Sequence, residues 1–280
     1  MYKVKYLLLL LLICGCMKSS NYKLDRVFEV DGRQGVCYEN GYYWVSGSTT
    51  LSKYDSNFNL IATNTDPFEG YDIEVNHIGD IDVHNNEIYL GVEYFKDGVG
   101  KNIQVAVYDG DTLKLKRVFP FNSDTGQLEC SGICVDYDNK IVYMCSWIDD
   151  ESSYYLYKYD LESENYLGKL LLDPHPVWMQ GVAYYNGNLY VTADDGDADK
   201  KEADHMYKID IGTGKVSLEK TFDDVTFQGE IEGLTFDKDK KEFLLLYNRG
   251  ARIIKGMPSG FYEGYDKEIH EVFIYKMMDK

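Results

Sequence analysis

The chain has 280 residues, 44% of them hydrophobic, enough for one well-buried domain. Its formal charge of −18 argues against nucleic-acid partners and against electrostatic docking on anionic lipid. An acidic surface suits cationic ligands or metal ions, and solubility alone accounts for it equally well. With 26 Tyr and only 5 Pro, the composition leans towards β structure.

In chain order, the first element is MYKVKYLLLLLLICGC. Lys3 and Lys5 give a positive start. The apolar run over residues 7–13 is too short to span a bilayer but long enough for the core of a signal peptide. Gly15-Cys16 closes it and resembles the bacterial lipobox, in which a small residue precedes the lipidated cysteine. The departure is Ile13, where that motif prefers Leu. The resemblance implies a signal peptide over residues 1–15, lipidation at Cys16, a polar tether over 16–22, and an exported domain over 23–280 held to the bacterial membrane or envelope. Two or more acyl chains give firm anchoring, whereas one alone is marginal. Four further cysteines, Cys37, Cys130, Cys134 and Cys145, lack a CxxC pair, which disfavours a zinc ribbon. An exported location permits a disulfide near Cys130, Cys134 and Cys145; buried free thiols fit as well.

The rest of the chain repeats. Five segments carry a glycine, alternating apolar residues, a turn and a second strand: QGVCYENGYYWVSG, GDIDVHNNEIYLGVE, SGICVDYDNKIVYMCSW, QGVAYYNGNLYVTAD and EGLTFDKDKKEFLLLYN. Their glycines, read as Gly35, Gly79, Gly132, Gly181 and Gly233, recur every ~44–53 residues, the length of a four-stranded propeller blade. The Asn-Gly and Asp/Asn-rich turns tolerate the positive φ that tight hairpins need. Third strands end in a recurrent YxYD, whose Asp starts the turn into an outer strand. The last unit lacks a fourth strand, while KLDRVFEV at residues 23–30 is a strand without a unit. The expectation is an all-β, five-bladed propeller closed by its N-terminal strand. Six blades is the alternative, if residues 67–76 form a degenerate one, but that stretch is too short for four strands.

This geometry sorts the polar residues. Segments between second and third strands (93–102, 147–153, 194–204 and 248–270) read as long loops on one face, and long loops on a rigid scaffold are where sites are built. Residues preceding the innermost strands should face an axial mouth: Gln34, His77, Glu129, Ser131, Trp178, Gln180, Glu230 and Glu232. Ends of second strands add Ser46, Glu93, Ser146, Trp147, Asp194, Asn248 and Arg249. Hard oxygen donors of this kind suit Ca²⁺, with Glu230, Glu232 and Asp194 as candidate ligands. Water-filled propeller mouths are polar in any case. The alternating carboxylates of residues 194–199 miss the EF-hand order. Arg249, Arg252 and Lys255 cluster in the last long segment, as a binding loop for an anionic group or an insertion on the outer surface. No nucleophile elbow, HExxH or phosphate loop is present.

Glu232-Gly233-Leu234-Thr235-Phe236 is similar to the EGL/EGP start of an innermost strand in gluconolactonase, paraoxonase and phytase-like propellers. In some of these the Glu binds a catalytic calcium. Those families have six blades; calcium-activated apyrases have five, but without alignable motifs here. The functional expectation is ligand binding at the axial mouth, with a metal's help. Ca²⁺-dependent hydrolysis of a phosphoester or lactone, and an envelope protein-interaction surface rimmed by Trp147, Trp178 and Tyr94, are the alternatives.

Overall fold

The YxYD turns form as the repeat implies. Asp55, Asp109, Asp160 and Asp210 each accept backbone N–H groups two to four residues ahead, from Asn57, Thr112, Ser163 and Thr213 among others. Each such turn reverses the chain into an outer strand. At the hairpins between first and second strands, Asn40, Asn85, Asn86 and Asn186 adopt φ of 51°, 53°, 59° and 48°, the conformation for which asparagine was expected.

In this computed structural model, residues 21–148, 150–225, 228–254 and 257–278 are described. The signal peptide, Cys16 and Lys255 lie outside them. Strand β1 (Tyr22–Glu29) comes first. Four antiparallel units follow: β2 (Gly35–Glu39) to β5 (Leu60–Asn64) by way of β3 (Tyr42–Gly47) and β4 (Thr50–Tyr54); β6 (His77–His84), β7 (Glu87–Lys96), β8 (Val99–Asp109) and β9 (Leu115–Val118); β10 (Gly132–Asp136), β11 (Ile141–Cys145), β12 (Tyr155–Asp160) and β13 (Tyr166–Leu171); β14 (Met179–Tyr185), β15 (Asn188–Ala193), β16 (His205–Asp210) and β17 (Val216–Thr221). The last unit has β18 (Gly229–Asp237), β19 (Glu242–Arg249), a small hairpin of β20 (Ala251–Ile254) and β21 (Met257–Phe261), and β22 (Ile269–Met277).

The fifth sheet has the order β1-β22-β19-β18. Phe28 pairs with Val272 and Val27 with Phe273, so the N-terminal strand completes the last blade. Inner strands β2, β6, β10, β14 and β18 adjoin one another in a closed ring, and the fold is a five-bladed propeller. Each gap between blades holds an apolar cluster. Trp44 and Leu51 of the first blade meet Ile81 and Leu90 of the second, and Val36 and Val45 meet Leu244 and Ile274 across the closure. This burial drives blade packing.

Three expectations need correction. Residues 93–102 are not a loop: β7 and β8 run on into a hairpin that turns at Asp97 and Gly98. Residues 248–270 contain the β20–β21 hairpin. Residues 67–76 make no blade, in keeping with the five-bladed expectation; Phe68, Tyr71 and Val75 pack onto the cluster between the first two blades. The repeat glycine of the second blade is also misread. Hairpin register aligns Glu39↔Tyr42 with His84↔Glu87, which puts Asp80, and not Gly79, in line with Gly35, Gly132, Gly181 and Gly233.

Candidate functional site

Asp80 explains why three of its four counterparts, Gly35, Gly181 and Gly233, are glycines, and the crowding of Gly132 by Cys145 and the Gly181–Val182 backbone explains the fourth. A Cβ on Gly35 would lie 2.2 Å from Asp80 Oδ1, and one on Gly233 would lie 2.0 Å from it. One on Gly181 would sit 2.6 Å from Gly233 Cα. The inner strands converge so tightly that one side chain fits, and Asp80 supplies it. Its carboxyl accepts the N–H of Ile81 at 2.8 Å and of Val182 at 3.3 Å. Burial raises its pKa well above the carboxylate range. The axis is therefore plugged at its waist, and the mouth is a closed funnel above it.

Gln34, His77, Glu129, Ser131, Gln180, Glu230 and Glu232 line this funnel as expected, joined by Trp147 and by Arg33 and Phe95. The open space is only ≈ 80 Å³, because the side chains hold one another. Arg33 contacts Glu230 at 3.1 Å and Glu268 at 3.3 Å. Gln180 donates to the second Glu230 oxygen at 2.9 Å. Asn248 is buried at the end of β19 and donates to Glu232 Oε1 at 2.6 Å and to Arg33 O at 2.9 Å. Burial raises both glutamates; Glu230 raises Glu232 further, whereas the Arg33 charge opposes the rise in both and a hydrogen bond with Glu232 lowers Glu230. Among the described residues, no group of three or more His, Cys, Asp or Glu side chains is arranged to hold a metal. Glu230 and Glu232 share the mouth, and Asp194 lines a neighbouring cavity.

Beneath the funnel rim lies a pair of apolar-buried titrating groups. Glu93 is fully buried, with its Oε1 3.2 Å from His77 Nδ1. Among the described residues neither of these two atoms has a hydrogen-bond partner. The other Glu93 oxygen accepts Cys130 N–H at 3.1 Å. Burial pushes Glu93 up to about 8, and burial together with Arg33 pushes His77 down to about 4. At neutral pH the pair is uncharged, with the proton on Glu93. Glu129 accepts the Trp147 backbone N–H and is likewise raised, first by burial and then by Glu93.

Trp147 also walls a second cavity of ≈ 350 Å³, with Trp178, Asp194, Glu202, Asp204 and Tyr262. The two indoles lie 4.8 Å apart at 48°. Trp178 holds φ of +56°, an uncommon backbone state for a bulky residue. Gly196 belongs here for lack of space: a Cβ would lie 2.7 Å from Asp204 Oδ1, and its N–H donates to that oxygen at 3.0 Å. The acidic loop is mostly self-satisfied. Asp195 takes His205 at 2.8 Å and the Tyr207 hydroxyl at 2.6 Å. Asp197 caps its own turn and pairs with Lys200, and Asp199 pairs with Arg252.

Arg249 departs from the mouth altogether. It forms a two-pronged pair with Glu271 at 2.9 and 2.7 Å. The anion-binding cluster with Arg252 and Lys255 accordingly loses two members to protein carboxylates, and the third is outside the described residues. Arg33, Phe95, Asp204 and Tyr262 were not picked out from sequence. Arg33 adjoins Gln34 and was legible by that adjacency; Asp204 and Tyr262 come from loops of different blades. All four cysteines are buried and free. Cys134 stands opposite Tyr143 and Cys145 opposite Gly132, so these neighbouring strands do not bring the two thiols face to face.

No protein-family model matches the chain, and no curated protein sequence does. Among solved structures it is similar to Myxococcus xanthus glutaminyl cyclase, with 13% identity, a TM-score of 0.58, and coverage of 92% of this chain and 97% of that one. Kuenenia stuttgartiensis hydrazine synthase is also similar, with 12% identity, a TM-score of 0.47, and coverage of 88% and 64%. At such identity the likeness to the cyclase is a likeness of fold, and it agrees with the propeller built up above.

Proposed function

We propose that this chain is an exported lipoprotein, anchored through Cys16, whose propeller binds a small ligand at the axial mouth. One observation carries the reading. Trp147 is 7% exposed and lines both cavities, yet among the described residues its indole N–H has no hydrogen-bond partner. A buried unpaired donor costs ~1–3 kcal/mol, and a ligand acceptor would recover that. Pockets with aromatic walls and a few converging polar groups are the usual form of small-molecule sites. The test is a melting-shift screen of small polar molecules on the purified domain, repeated with Trp147→Phe. Hits that vanish in the variant support the reading, and a screen without hits removes it.

A catalytic second reading has its own observation in the protonated Glu93 beside neutral His77, a pair able to give and take a proton near neutral pH. Calcium-dependent hydrolysis would engage Glu230 and Glu232, with the ion displacing Arg33. Metal analysis and a phosphoester and lactone screen, with and without Ca²⁺, address this. A glutaminyl substrate forms one arm, taken from the neighbour's name. Turnover lost in both Glu93→Gln and His77→Gln supports it; no turnover in any arm refutes it.

A further inference from the structure

Resting on the mouth-binding reading, we infer that the 350 Å³ cavity beside Trp178 takes an organic ammonium ion with an apolar or aromatic body and a neutral acceptor group.

The charge balance of the cavity comes first. Five carboxyl groups line it, from Asp194, Asp197, Asp199, Glu202 and Asp204, against one guanidinium, Arg252. Arg252 is already paired with Asp199 at 2.9 Å and Lys200 with Asp197 at 2.7 Å. Asp194 has no hydrogen-bond or ion-pair partner for its carboxyl among the described residues. Asp204, 8% exposed, has only the Gly196 N–H on one oxygen. Both carboxyls are raised by burial and by neighbouring acids, with Asp204 pushed up to about 7. The empty site therefore favours retaining a proton, and a bound cation relieves the same repulsion.

Shape then separates an organic cation from a metal ion. A divalent ion needs donors converging on one point at ~2–2.6 Å. The carboxyls here are instead spread around a space large enough for a molecule, and no metal-holding group is found among the described residues. Trp147, Trp178 and Tyr262 supply aromatic walls, to which ammonium groups and apolar bodies are both drawn. The indole N–H of Trp147 asks for an acceptor. A ligand carboxylate is disfavoured among these acids, whereas a hydroxyl serves. The net charge of −18 concentrates cations near the protein.

The experiment is calorimetric titration of the purified 21–280 domain with phenylalaninol, 3-phenyl-1-propanol and CaCl₂. Phenylalaninol should bind, and the amine-free alcohol should bind at least about tenfold more weakly. Asp204→Asn, which keeps an acceptor for Gly196, should lower phenylalaninol affinity by about tenfold, a typical loss for one charge-assisted contact, with an unchanged circular dichroism spectrum. Equal binding of amine and alcohol, or calcium displacing the amine at one ion per site, overturns the ammonium assignment. So does an absence of amine binding while the melting screen still yields Trp147-dependent hits, in which case the mouth reading stands. Silence in both measurements removes the two together.

Discussion

Replacing Glu93 with Gln should stabilise the propeller, and should do so by ~2 kcal/mol more at pH 8 than at pH 6.5. In the folded protein the Glu93 carboxyl is lifted from its ordinary 4.5 to about 8 by burial. The fold favours the protonated form, so this contribution is complete below the ordinary value and is lost as pH climbs towards 8. His77, lowered from 6.5 to about 4, acts in the opposite sense, but only below 6.5. The interval from pH 6.5 to 8 isolates the carboxyl. At ~1.4 kcal/mol for each pH unit, the parent should lose ~2 kcal/mol there on account of Glu93. Gln cannot ionise. It keeps an oxygen for the Cys130 N–H and matches the protonated acid in shape and charge. Asp82 and Asp204, both raised to about 7, titrate in parent and variant alike and cancel in the difference. Glu129 is raised partly by Glu93, so its relief adds in the same direction. Urea melts of both proteins at pH 6.5 and pH 8 measure the effect. A variant-minus-parent stability that is the same at the two pH values would refute the buried, proton-holding Glu93.

Three further outcomes are expected. Removing residues 22–29 exposes the β22 edge and strips Arg26 from Glu242, so the truncated domain should lose its cooperative melt; an unchanged melt would show that β1 does not close the ring. Gly233→Ala places a methyl 2.0 Å from Asp80 Oδ1 and 2.7 Å from Gly35 Cα, and should cost ~2 kcal/mol or more by overpacking, with a thermal melt within a degree of the parent counting against the packed axis. Cys16→Ala should abolish membrane retention or leave an unprocessed precursor in fractionated cells, and normal processing with normal retention would sink the lipid anchor.

The blades were readable because each repeats the same local chemistry. An Asn or Gly at a hairpin tip and an Asp at the end of a third strand act within four residues, and such signals survive in a linear string. Closure by β1 was readable too, since a strand without a unit had one place to go. Asp80 escaped because Gly79 stands one residue from the register position, and only cross-strand pairing distinguishes the two. The reach of the mouth was half legible. Periodicity placed Gln34, Gln180, Glu230 and Glu232 correctly, since residues two apart share a side. It could not show that Arg33 neutralises part of that set, or that Arg249 pairs sideways with Glu271. The larger cavity was hidden for a different reason: residues 194–204 of the fourth blade meet Arg252, Ile253 and Tyr262 of the fifth only once the two blades pack.

The filled waist of the ring has a traffic consequence. Asp80 and the glycines around it leave no bore, so the propeller is a cup and not a pipe. If the mouth binds a ligand as proposed, that ligand would enter and depart by one door, and its dwell time would be governed at the rim. Anything large that settled over that rim would imprison whatever was already inside. The other pole, around Tyr38, Asp82 and Lys238, receives no material from the mouth. It can be altered by mutation or by a tag without obstructing the route to the funnel.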